Sequence, residues 1–249
     1  MSGEFYIGWA PTPPGIRRFT RLAVLGLFVL AAGMASLLVG AMQRPAKASF
    51  DYGRPRAWSG RIELEPSPIL WTADGEALYL VAPGKHGADS MLAALAGRLV
   101  NLRGTLIERP GLLGPQRMVE IEPDSIREAT PATVDVSPPA AAQSLGMVRW
   151  RGEIADGKCY LGVMVPGEGK THRDCAARCL SGGTPPLFAI ADGTGGQVTV
   201  LLAANDGRPL GPRLTDFAAE PVYISGELSR HGKLLILRTS PDRIERTGD

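Results

Sequence analysis

The chain repeats itself, and the repeat limits what it can fold into more than any other feature. Trp58-Ser59-Gly60-Arg61-Ile62 returns as Trp150-Arg151-Gly152-Glu153-Ile154, an offset of 92 residues. Leu102-Arg103-Gly104-Thr105-Leu106 returns as Ile224-Ser225-Gly226-Glu227-Leu228, an offset of 122. Both copies close on similar tetrapeptides, Pro123-Asp124-Ser125-Ile126 and Pro241-Asp242-Arg243-Ile244. Such self-similarity predicts two related domains, at 50–128 and 147–246. Between them, residues 129–146 are rich in Ala, Pro, Ser and Thr, a linker composition.

Each copy reads as short strands with a helix after the third. In the first, strands fall near 57–65, 68–73, 77–82, 99–108 and 116–122, with Ser90–Gly97 as the helix. In the second they fall near 148–155, 186–191, 197–203, 221–229 and 233–239, with a helical turn at Thr215–Ala219. Apolar alternation at Val222 and Ile224, and again at Leu235 and Leu237, marks half-buried strands. Gly104 and Gly226 sit mid-strand, where a small barrel must bend or bulge. The order strand-strand-strand-helix-strand-strand resembles the oligonucleotide/oligosaccharide-binding (OB) barrel. The expected fold class is therefore mainly β: one N-terminal transmembrane helix followed by two small OB-like five-stranded barrels.

Leu22–Met42 supplies that helix, with 21 residues and no charge. At about 1.5 Å per residue it matches a hydrocarbon layer of roughly 30 Å. Ala46-Lys47-Ala48 also offers a signal-peptidase pattern, but a cleaved apolar region usually runs only about 7–15 residues, which favours a retained anchor. Residues 1–48 carry Arg17, Arg18, Arg21, Arg44 and Lys47 against Glu4, a net charge of +4, so the remainder of this +2 chain is −2. Basic residues flank the span on both sides and do not decide its orientation. An early span before a long domain favours residues 1–21 in the cytoplasm and the barrels in the periplasm, with the protein in the inner membrane. Phe5-Tyr6-Ile7-Gly8-Trp9 has the composition of an interfacial anchor. Ala32, Ser36 and Gly40 recur every fourth residue, a smooth face against which an integral membrane partner could pack.

The two offsets differ by 30 residues, and most of that excess lies in Gly157–Pro185, between the first two strands of the second copy. In OB barrels this connection borders the usual ligand face. It holds all three cysteines of the chain: Cys159, Cys175 and Cys179. Thr171 has N-cap chemistry, and Gly182-Gly183 supplies a stop, so a helix is predicted over 172–180. On that helix His172, Cys175 and Cys179 fall within a sector of about 60°. Three readings stay open. Cys159 could pair with Cys175 or Cys179 as a disulfide, leaving one free thiol. Cys159, His172, Cys175 and Cys179 could form a zinc or copper(I) site. A thiolate near the helix start could serve redox exchange. The insertion, with the Val222–Leu237 strands behind it, is similar to small exported bacterial domains that carry Cys, then His, then C-x-x-x-C and glycines; no activity comes with that resemblance.

No nucleotide, hydrolase or zinc-protease motif is present, and no acid/base pair stands out among Asp156, Asp174, Asp206 and Asp216. Gly193-Thr194-Gly195-Gly196 reads as a hairpin turn. His86 and His231 each sit beside a glycine and read as solvated. An enzyme is not expected. Nucleic acid fits poorly, because such binding needs a basic groove with aromatic platforms. Trp58, Trp150, Phe188 and Tyr223 lie in strands instead. The expectation is a membrane-anchored auxiliary or assembly protein that presents the Cys/His site to a partner, in a respiratory or metal-handling system. The alternative is a metal (zinc or copper) or thiol-redox carrier; nucleic-acid or glycan binding, which the OB barrel invites, ranks below both.

Overall fold

A computed structural model describes residues 11–42, 48–130, 136–137, 139–191 and 197–248. The aromatic segment at 5–9, the A-x-A pattern and the Gly193–Gly196 turn lie outside the described residues. The chain divides into two compact units, Met1–Ala46 and Lys47–Asp249.

Among its described residues the first unit forms one helix, α1 (Pro14–Met42). Pro14 opens it, where the missing N–H costs nothing. Its Pro14–Gly40 stretch has a mean hydropathy of 2.5, long and apolar enough to cross a membrane. Ser36 folds its hydroxyl back onto the Ala32 carbonyl at 2.8 Å, which keeps that face polar-neutral.

The second unit holds two closed five-stranded barrels. After a short β1 (Ser49–Phe50), the first uses β2 (Arg56–Glu63), β3 (Ile69–Trp71), β4 (Ala77–Val81), β5 (Leu99–Arg109) and β6 (Gln116–Ile121). They close in the order β2-β3-β4-β6-β5-β2, with β4 and β6 parallel and every other pair antiparallel. The helix α2 (Asp89–Leu92), continued by a 3₁₀ turn at Ala93–Leu95, lies between the third and fourth strands. A short β7 (Arg127–Glu128) pairs with β5.

The second barrel repeats this circuit. It uses β8 (Gln143–Asp156), β9 (Pro186–Ala191), β10 (Gln197–Ala204), β11 (Pro221–His231) and β12 (Leu234–Thr239). They close as β8-β9-β10-β12-β11-β8, again with only the β10–β12 pair parallel. A 3₁₀ segment, Gly211–Phe217, takes the place of α2, and β13 (Ile244–Arg246) pairs with β11. This is the strand order and helix placement that the sequence predicts.

The repeated glycines have a common cause. A Cβ at Gly60 would overlap the Trp71 carbonyl oxygen, and one at Gly152 would overlap that of Ala189. In both barrels the first strand thus crosses the second too closely for a side chain. Gly104 and Gly226 do the same between the fourth and fifth strands, against Val119 and the Arg238 carbonyl. None of the four has a left-handed backbone. Close approach, not backbone conformation, selects glycine there.

Each barrel fills its own interior, the first with Ile62, Leu70, Leu80 and Leu102, the second with Ile154, Phe188, Leu202 and Leu237. A further apolar cluster joins the two, with Trp71, Tyr79 and Met118 from the first and Leu187, Leu201 and Ile236 from the second. Strands at this junction are covered on both faces, so β4 is buried at all five positions and reads Ala-Leu-Tyr-Leu-Val without alternation. Replacing Gly60, Gly104, Gly152 or Gly226 by Ala is expected to lower unfolding free energy by about 1–3 kcal/mol each, the usual cost of forced overpacking. Urea denaturation followed by Trp fluorescence measures this.

Candidate metal centre

The long connection from β8 to β9 leaves its barrel at Asp156, which is fully buried. A wide π-type turn, Cys159–Val163, follows directly. The chain then crosses a Pro/Gly segment, makes a 3₁₀ turn at Lys170–His172 and enters α3 (Arg173–Ser181). The helix begins one residue later than predicted, and Thr171 does not cap it. Thr171 is taken into the preceding 3₁₀ turn, where the His172 N–H donates to the Gly169 carbonyl at 2.8 Å. Asp174 keeps the acidic first turn that the helix dipole favours. At the other end Gly183, at φ +88°, lets Thr184 N–H reach the Cys179 carbonyl and its own N–H reach that of Leu180. That pair of bonds is a Schellman stop.

Asp156 organises the thiols. Its Oδ1 accepts the backbone N–H of Cys159 at 2.9 Å, and its Oδ2 accepts His172 Nε2 at 3.0 Å. Both interactions are sealed from water, since His172 is only 2% exposed. A carboxylate behind a histidine fixes the ring's orientation and tautomer, the usual outer support of a metal-ligating imidazole. Cys159 Sγ lies 3.9 Å from Cys175 Sγ, and all three cysteines are free thiols. A disulfide bond needs about 2.05 Å, so the disulfide-plus-thiol arrangement is not the one present.

Two groups of donor atoms fall within 4.8 Å of one another: Cys159, His172 and Cys175, and Asp156, Cys159 and Cys179. All four sequence-predicted residues therefore gather here, in two triads that share Cys159. The thiols are not equivalent. Burial, the negative charge of Asp156 and, above all, donation of its proton to Cys179 push the Cys159 thiol up. The same hydrogen bond, helped by the charge of Lys85, holds Cys179 below the usual thiol range.

Three contributors are absent from the sequence reading. Asp156, read from the sequence only among possible acids and bases, instead holds the Cys159 N–H and His172. Met164, five residues after Cys159, places its Sδ 3.5 Å from Cys175 Sγ. Lys85 comes from the first barrel, and its Nζ donates to Cys175 Sγ at 2.7 Å. That bond is the main reason its ammonium titrates above its ordinary value. The Lys85–Cys175 contact thus persists through neutral pH and is lost only as pH rises through the elevated Lys85 value.

Glycines bring the first barrel this close. The Gly87 N–H donates to the Gly182 carbonyl at 2.9 Å, and a Cβ on Gly182 would overlap the Lys85 carbonyl oxygen. Lys158, next to Cys159, is buried against the same loop. It donates to the Ala82 and Gly84 carbonyls at 2.8 and 2.6 Å and pairs with Glu120. Arg109 reaches across from β5 to the Tyr160 carbonyl at 2.7 Å and lies over the Tyr160 ring.

The isolated histidines behave differently from each other. His86 is exposed, as expected. His231 is not solvated: it is 9% exposed, its Nε2 lies 3.0 Å from Glu63 Oε2, and its ring meets Trp71 edge-on. It bridges the barrels beside a cavity of about 550 Å³, away from the thiols. No protein-family model matches the chain, and no curated protein or solved structure does.

Cys159 and Cys179 are buried and Cys175 is not. In the folded, reduced protein Cys175 is expected to react with iodoacetamide on the order of tenfold faster than either of the others. Peptide mass spectrometry after timed quenching reads the order. Asp156→Ala is expected to cost about 1–3 kcal/mol of stability, because it strands two buried donors. Asp156→Asn, which retains an acceptor, should recover part of that loss in the same denaturation assay.

Proposed function

We propose that this chain is a membrane-anchored auxiliary protein whose barrels carry a soft-metal site and present it to a partner. The observation that carries the reading is the pair of overlapping triads on Cys159, buried on the Asp156 side and open at Cys175 and Met164. The donors fit such a metal: thiolate and imidazole hold zinc or copper(I), and a tetrahedral site with metal–sulfur bonds of about 2.3 Å has edges of about 3.8 Å. The Cys159–Cys175 separation of 3.9 Å is close to that edge. Of the chain's own residues, Cys159, which both triads share, would bind the ion with His172 and Cys175, with Cys179 beside them, and Asp156 would orient His172. The metal would supply an exchangeable soft cation.

In this reading α1 crosses the inner membrane, with the barrels on the periplasmic side. The open face of Ala32, Ser36 and Gly40 would receive a helix of an integral membrane partner, in a respiratory or metal-handling assembly. A C-terminal reporter fusion active only in the periplasm supports that topology; one active only in the cytoplasm refutes it.

A second reading, a dithiol carrier, has one observation in its favour: the same 3.9 Å separation lets Cys159 and Cys175 join with little movement. Metal content of the purified, reduced full chain separates the two. The site predicts about one equivalent of zinc or copper, lost in Cys159→Ser because both triads share that sulfur. A metal-free protein that cycles between three thiols and one would leave the dithiol carrier.

A further inference from the structure

We propose that the site is built for copper(I) rather than zinc, with Met164 as its outermost ligand. The inference rests on the metal-site reading above and assigns the ion and one more donor.

The donor atoms do not form a set of four. Cys159, His172 and Cys175 make one triad, while Cys179 belongs to the other, with Asp156. In that second triad Asp156 already supports the Cys159 N–H and His172, so the triad that combines the imidazole with two thiols is Cys159–His172–Cys175. Zinc takes four donors in a closed site, or three and a water in an open one. Copper(I), a soft monocation, takes sulfur by preference.

The atom next to this triad is a thioether. Met164 Sδ lies 3.5 Å from Cys175 Sγ on the open side, and Met164 is 44% exposed. Zinc is held by thiolate, imidazole and carboxylate. A thioether at the edge of a thiolate pair instead favours copper(I). A large apolar side chain left in solvent beside Val165, itself 79% exposed, adds nothing to folding. As a ligand it has a use.

Binding replaces the thiol protons of Cys159 and Cys175, leaving two thiolates, and the Lys85 ammonium 2.7 Å from Cys175 Sγ offsets part of that charge. Since the mouth consists of Cys175 and Met164, copper(I) would enter and leave there by ligand exchange with a sulfur donor of the partner.

The test uses the reduced full chain in detergent under anaerobic conditions, with copper(I) titrated against bathocuproine disulfonate and zinc(II) against a chromophoric zinc chelator. The expected result is one copper(I) per chain that excess zinc does not displace. Met164→Leu is expected to weaken copper(I) binding by about tenfold, the lower end for loss of a supporting group at a metal site. It should leave zinc binding unchanged. X-ray absorption of selenomethionine-labelled protein gives an independent signature, a copper–selenium contact that Met164→Leu abolishes. Zinc binding that outcompetes copper(I), or a Met164→Leu variant with unaltered copper(I) affinity and no selenium contact in the parent, overturns the copper assignment and leaves the metal site standing. Failure to bind either ion overturns both.

Discussion

The structure depends on how closely two backbones can approach where the barrels meet. Gly87 and Gly182 have no side chains, so the loop between the third strand and helix of the first barrel lies against the end of α3 in the second. One N–H···O bond and the buried Lys158, with two carbonyls and Glu120 as partners, lock that contact. A buried ammonium without such partners would cost several kcal/mol. With them it fixes the residue before Cys159 to the first barrel. The insertion is consequently not a free loop on one barrel. It is clamped between two, and the apolar cluster from Trp71 to Ile236 makes that clamp part of a common core.

This explains why, among the described residues of a duplicated fold, the thiol cluster gathers in one copy. The first barrel has no counterpart of residues 157–185; its first two strands are joined by the short turn between Glu63 and Ile69. It contributes instead what the second cannot reach, a cation. Lys85 sits on the loop that the two glycines hold against α3, and its Nζ meets Cys175. One copy supplies the thiols and the imidazole, and the other supplies the ammonium beside them.

The barrels were legible in the sequence because their constraints are local and repeated. Gly60 and Gly152, and Gly104 with Gly226, mark strand crossings that recur at the same point in both circuits. Gly104 and Gly226, expected at bends or bulges, also lie too close to a facing strand for a side chain. His172, Cys175 and Cys179 were legible through helical spacing, which survives the one-residue shift of α3, and Cys159 as the cysteine on the segment before it. Lys85 was not, because it is 90 residues from Cys175 and only the meeting of two barrels brings it there. His231 was misread for the same reason: its partner, Glu63, is 168 residues away on the other barrel. Local pattern cannot report a contact that two separately closed domains create between them.

The division between a rigid interior and an open mouth follows from the order of elements along the chain. Asp156 ends a 14-residue strand and is fully buried, so the Cys159 N–H and His172 it holds inherit the rigidity of the barrel. Cys175 lies in the first turn of α3, anchored at its far end by the Schellman stop and by Gly182 against Lys85. Met164 is less enclosed: it follows the wide turn and precedes the Pro/Gly segment, with its N–H on the Cys159 carbonyl and its side chain exposed. Burial therefore falls from Asp156 outward to Met164. A site intended only to brace the fold would be closed on every side. A graded one, buried at Cys159 and His172 and exposed at Met164, suits the exchangeable ion proposed for it.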